Sequence, residues 1–266
     1  MTPRFIATDA VLIAAQASLV ALPRAGVPAW MRRFASGWWA LVLPLSIAVV
    51  IAAIELLPQT ADALTWISLV LIPPGAALAL GWAMHGGRPP LALLAAPLLA
   101  LAWIDVNGLA GDAAAAVLTA LSCVTLGRIL AGVVPALWLK AGIVAMAIVD
   151  SILVFGNELQ APNAVLNAAV PLPGAPQLQY LDLHYASLGY GDVFVAGVLG
   201  GVLAAERRAQ VPAALLTLVC AALWDLLFLH FDTLPATVPV AVALLAVEAP
   251  RLRGCIRRRR GASTAS

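Results

Sequence analysis

Apolar residues fill this chain in long runs, broken only by short clusters of Pro, Gly and charge. Dividing the runs at those breaks predicts nine helices, at about 6–22, 38–57, 64–84, 90–107, 112–131, 137–156, 184–204, 212–231 and 235–250. A helix needs ~20 apolar residues to cross the hydrocarbon of a bilayer. Several runs fall near the lower limit, which predicts tilted or protein-buried helices. The expected fold class is therefore all-α. The chain reads as a polytopic membrane protein of nine transmembrane helices, with 1–250 as one domain and 251–266 as a basic cytoplasmic tail.

Composition sharpens this. With 63% hydrophobic and 11% charged residues, the chain is not an ordinary soluble domain. Its mean hydropathy is +0.99. No polar stretch is long enough to fold separately in water. The first run resembles a secretory leader, but Asp9 interrupts it and no clean small-x-small site follows, so it is expected to stay as a helix.

Placing alternate loops on opposite sides puts fourteen of the fifteen Lys and Arg on one side. They are Arg24, Arg32, Arg33, Arg88, Arg128, Lys140, Arg207, Arg208 and the six arginines after Pro250; Arg4 alone lies opposite. By the positive-inside rule the N-terminus is expected outside and the C-terminus in the cytoplasm. Trp38, Trp39, Trp82, Trp103 and Trp138 fall near predicted helix ends, as an aromatic belt requires. The basic run Arg257 to Arg260 suits anionic lipid, and no nucleic-acid partner is expected. Cys123 and Cys220 read as small buried hydrophobes.

Against this background two acids stand out, Asp150 in AIVDSILVFG and Asp192 in SLGYGDVFVAG. An ionisable side chain at such depth costs ~2.5–3.5 kcal/mol on insertion scales, so it points to function. Each is expected ~9–12 Å below the outer surface, on neighbouring antiparallel helices. Two adjacent carboxyls share one proton. One can then act as base toward a water while the other donates to a carbonyl oxygen, chemistry that needs no metal or cofactor. Gly189 and Gly191 let the seventh helix approach the sixth and weaken it locally. A Pro-rich element, Leu234-Pro235-Ala236-Thr237, is expected at the same outer level, as is the 28-residue connection 156–183.

These segments resemble the signal peptide peptidase and presenilin family of intramembrane aspartyl proteases. Val149 to Gly156 is similar to that family's first-aspartate segment, Ser187 to Gly200 to its Gly-x-Gly-Asp segment, and Pro235-Ala236 to its Pro-Ala-Leu element. The resemblance covers about half the chain, a catalytic half of about 137–250. It implies a presenilin-like bundle with Asp150 and Asp192 as the catalytic pair. Gly189, Tyr190, Gly191, Pro235, Ala236 and Thr237 would shape the site and hold substrate. It further implies no cofactor and a transmembrane peptide or signal-peptide remnant as substrate; the short chain with minimal loops suits a prokaryotic plasma membrane as location. Val149 stands where the family has Tyr, and Thr237 where it has Leu.

Two other readings fit part of the pattern. Prepilin peptidases share Gly-x-Gly-Asp, but commonly carry Lys where Phe194 stands, and their site opens to the cytoplasm. A transporter or scaffold would use the aspartates to bind protons or cations. Asp9, Asp105 and Asp225 also lie in or near apolar runs, and Asp225 is expected to be a hydrogen-bonded packing residue. The i,i+2 spacing of Asp182 and His184 does not suit a metal site on one helical face. Water is expected to reach the pair between the sixth, seventh and ninth helices.

Overall fold

The computed structural model describes residues 2–106, 108–231 and 233–263, with side chains as far as 250. Six helices are long and apolar enough to cross a membrane: α1 (Pro3–Ala21), α2 (Gly37–Leu56), α3 (Thr60–Ala83), α5 (Leu109–Val133), α6 (Ala136–Phe155) and α9 (Gln210–Leu229). Three further apolar stretches are shorter: α4 (Pro89–Ile104), α8 (Tyr190–Ala205) and the first half of α10, Val238–Pro250. Large apolar side chains such as Val49, Leu71, Leu215 and Leu223 are each more than half exposed around the bundle. Water would not tolerate so much apolar surface. The architecture is that of a helical membrane protein.

α8 is the axis of the bundle. A helix that is apolar on every side must be covered on every side, and every residue from Val193 to Ala204 is buried. α5 lies along it, backbone to backbone, where Gly127 meets Gly197 and Gly201. α1, α6 and α10 complete the sleeve. Because neighbours enclose it, α8 can be short and still belong to the hydrophobic interior.

The two ends of the bundle differ in charge. At one end Lys140 Nζ pairs with Glu206 (2.5 Å) and Glu248 (3.2 Å), and Arg208 joins both acids. Arg128, buried there, donates to the Gly26 carbonyl at 2.7 Å and to the Trp82 carbonyl, with its guanidinium 3.6 Å from the centre of the Trp82 ring. At the other end His184 Nδ1 lies 2.7 Å from Asp112, and Arg4 donates to the Tyr185 hydroxyl at 3.1 Å. Lys140 and Arg208 thus lie at the opposite ends of α6 and α8 from Asp150 and Asp192.

The main correction concerns the connection before α8, which is not featureless. It holds an amphipathic helix, α7 (Gln160–Ala168), and a hairpin of β1 (Tyr180–Asp182) and β2 (Ser187–Gly189). The fold is therefore helical with one small antiparallel sheet, in register Tyr180↔Gly189, Leu181↔Leu188 and Asp182↔Ser187. Leu181 and Leu188 are buried, so pairing extended backbone over the core displaces the helix expected from 184. α8 starts at Tyr190, and α10 starts at Val238 rather than 235. α10 continues as backbone to Ser263; the side chains of the basic tail 251–266 lie outside the described residues.

Candidate active site

Asp192 sits in the first turn of α8, not eight residues into a helix, because the hairpin occupies the preceding segment. Its Oδ2 accepts the Gly189 backbone N–H at 3.1 Å. That contact satisfies a donor which the helix start would otherwise leave unpaired. A side chain at Gly189 would lie only 3.2 Å from this oxygen, so glycine keeps the path open.

Asp150 lies within α6, five residues before its end at Phe155, and is 4% exposed. Its Oδ2 accepts the Thr237 hydroxyl at 2.6 Å. Thr237 is itself fully buried. The residue that departs from the family pattern is thus a direct partner of the first carboxylate. It acts from the turn before α10, with Pro235 buried beside it.

The two carboxyls come together. Both line one cavity of about 710 Å³, and the charge of Asp150 acts on Asp192. Gly191 lets the helices close: a Cβ there would stand 3.2 Å from Met146 Cε of α6. Gly189, Tyr190, Gly191 and Ala236 line the same cavity, whereas Pro235 and Thr237 support it from behind. The Tyr190 hydroxyl turns away, to Ser122 of α5 at 3.2 Å, and its ring stacks on Phe194. Phe194 is buried, which leaves a core site where a prepilin peptidase would commonly place Lys. The cavity is wider than the expected gap, since α1, α2, α7 and α9 also contribute walls.

Two features are not apparent from sequence reading alone. Gln16 of α1, 1% exposed, donates through Nε2 to the Asp192 carbonyl (3.0 Å) and to the Ala236 carbonyl (2.9 Å). One amide therefore ties α8 to the turn that holds Asp150. An isolated Gln within the apolar run IAAQASL was the available signal.

The second feature is a further acid pair. Asp225 does not stand alone: Asp9 of α1 is its electrostatic neighbour across α1 and α9, and both line the cavity.

Searches of protein-family models, curated proteins and solved structures find no match for the chain. What the site does has to be argued from its own atoms.

Proposed function

We propose that this protein is an intramembrane aspartyl protease of the signal peptide peptidase and presenilin type. In this reading α4, α8 and the apolar half of α10 join the six long helices as nine spans. The N-terminus lies outside and the C-terminus in the cytoplasm of a prokaryotic cell. The observation that carries it is the meeting of Asp150 and Asp192, from adjacent helices, in one cavity. Family motifs surround both residues, and the basic loops sit at the opposite end.

The chemistry follows from a shared proton. The ionised carboxylate takes a proton from water as the water oxygen attacks the peptide carbonyl carbon. The protonated partner donates to the carbonyl oxygen, giving a neutral tetrahedral diol. Collapse breaks the C–N bond, and a carboxyl returns a proton to the leaving nitrogen. The hydroxyl of Thr237 holds Asp150 in place through a hydrogen bond. In this reading Asp150, so held, is the base and Asp192 the proton donor. A substrate helix must unwind to present its bond, and the cavity between α2, α6, α7 and the hairpin is where an extended segment fits.

Cleavage of a membrane-embedded peptide is expected to follow a bell-shaped pH profile that reports the pair. Thr237→Val should lower kcat roughly tenfold and displace the acidic limb upward, because the base loses a donor to its charged form. Thr237→Ser should restore both. A flat profile, or a Thr237→Val profile identical to wild type, would count against the assignment.

One observation favours a second reading, proton-coupled transport: the Asp9–Asp225 pair doubles the acids in the cavity. The same purified protein in vesicles separates the two. Transport predicts ion-dependent uptake that Asp225→Asn abolishes, with no peptide cut; proteolysis predicts cleavage and no uptake.

A further inference from the structure

The first helix carries a buried amide that serves both members of the acid pair. Gln16 lines the cavity, and both hydrogens of its Nε2 have acceptors, the Asp192 carbonyl at 3.0 Å and the Ala236 carbonyl at 2.9 Å. The amide cannot be turned over, since Oε1 would then face two carbonyl oxygens. Ala236 immediately precedes Thr237, whose hydroxyl donates to Asp150 at 2.6 Å. A continuous path therefore runs from the Asp192 backbone, through one amide, to the donor that holds Asp150.

The amide is itself held in register. α1 lies so close to α8 that a Cβ on Gly200 would stand 2.6 Å from the Leu19 carbonyl oxygen. Gln210 of α9 makes a similar tie at the far end of α1. Its Nε2 reaches the Val20 carbonyl at 3.1 Å and the Gly200 carbonyl at 3.2 Å. With α1 fixed along α8, Gln16 is a strut of set length between α8 and the turn before α10.

We propose that Gln16 is a positioning residue. Both its hydrogens are spent on backbone, so it donates to neither carboxyl; by fixing Asp192 against the turn of Thr237 it sets the gap across which the two aspartates share a proton. This rests on the protease reading above and deepens it. It also makes α1 part of the active-site frame, although α1 lies outside the half of the chain that carries the family motifs.

The test uses the full chain in lipid vesicles and a cleavable transmembrane peptide. Gln16→Met keeps the length and bulk of the side chain and removes both donors. It is expected to lower kcat roughly ten- to a hundredfold with little change in KM, as a misplaced pair still binds but reacts slowly. Its bell-shaped pH profile should narrow, chiefly because the alkaline limb moves to lower pH. A wider gap weakens the repulsion that keeps one proton on the pair. The other titratable side chains lining the cavity, Asp9, Tyr180, Tyr185, Tyr190 and Asp225, are the same in both proteins. Thr237→Val breaks the same path, so its loss and that of Gln16→Met should be less than additive in kcat.

Leu12→Ala controls for a merely structural role, since it empties a buried site on the same helix. It should lower the midpoint of thermal unfolding and leave kcat and the width of the profile as in wild type. If Gln16→Met does not fold, Gln16→Asn carries the same test, because its nitrogen is drawn back by one carbon and cannot reach both carbonyls. The assignment is overturned if the folded Gln16 variant keeps the wild-type kcat and profile. It is also overturned if its loss adds fully to that of Thr237→Val, or if Leu12→Ala reproduces both the loss and the narrowing. Absence of all cleavage by wild type would instead remove the protease reading and this assignment with it.

Discussion

Asp150→Ala and Asp192→Ala are each expected to reduce cleavage of a membrane-embedded peptide by ~10²–10⁴-fold or to background, with the fold intact. The two carboxyls act as one device, so the double variant should be little worse than either single one. Each substitution also carries a modest structural cost. Removing Asp192 frees the Gly189 N–H, a loss of the order of a helix cap at ~1 kcal/mol. Removing Asp150 strands the Thr237 hydroxyl in a buried site. Neither is large enough to unfold a bundle of this size. Helical content and thermal unfolding in detergent are the controls that separate lost chemistry from lost structure. Asp9→Asn provides the contrast, since it disrupts the other acid pair and should leave most of the cleavage in place. A variant of Asp192 that folds and still cuts at the wild-type rate would remove the dyad from the mechanism.

Gly127→Val is expected to have the largest effect on stability. A Cβ on Gly127 would lie 2.2 Å from the Gly197 carbonyl oxygen. One on Gly197 would lie 2.5 Å from the Cys123 carbonyl oxygen, and one on Gly201 2.4 Å from that of Gly127. These neighbours are backbone atoms, so no rotamer change can make room. Overpacking ordinarily costs ~1–3 kcal/mol; here α5 must separate from α8, and the loss is expected at or above the top of that range. Yield of folded protein from detergent and the midpoint of thermal unfolding should both fall sharply. Leu215→Val, on a lipid-facing side chain, should change neither. Because α8 carries Asp192, whatever Gly127→Val protein survives should also be inactive. Wild-type stability in Gly127→Val would mean that the α5–α8 contact is not as close as described.

Much of this arrangement is written in short-range patterns. Apolar runs and their breaks locate the six long helices to within a few residues, since length and hydropathy decide whether a segment can be buried, whereas α7 is not read at all and α8 starts six residues later than expected. Gly-x-Gly-Asp marks the close approach of α6 and α8 because glycine is what a backbone contact demands. The hairpin carries only a short signal: Tyr180-Leu181-Asp182-Leu183-His184 alternates with a period of two, and Leu181 and Leu183 are buried. Within a 28-residue connection rich in Pro and Asn, so short an alternation reads as part of the loop, and the helix is expected to begin at its end, at 184. Thr237 reads from sequence only as a departure from Leu, whereas in three dimensions its hydroxyl is what reaches Asp150. The pairing of Asp9 with Asp225 has no local trace at all. It joins α1 and α9, and only packing reveals it. Gln16 is intermediate: its presence in an apolar run flags a buried hydrogen bond, but its two acceptors lie far along the chain.

The most direct test of the central claim is mass spectrometry of a transmembrane peptide incubated with the purified protein in lipid vesicles. Wild type should yield two fragments whose masses together equal the substrate plus one water, from a cut within the membrane-embedded stretch. Asp192→Asn should leave the peptide whole. Intact peptide from folded wild-type protein across the acidic-to-neutral range, or the same two fragments from Asp192→Asn, would contradict the assignment.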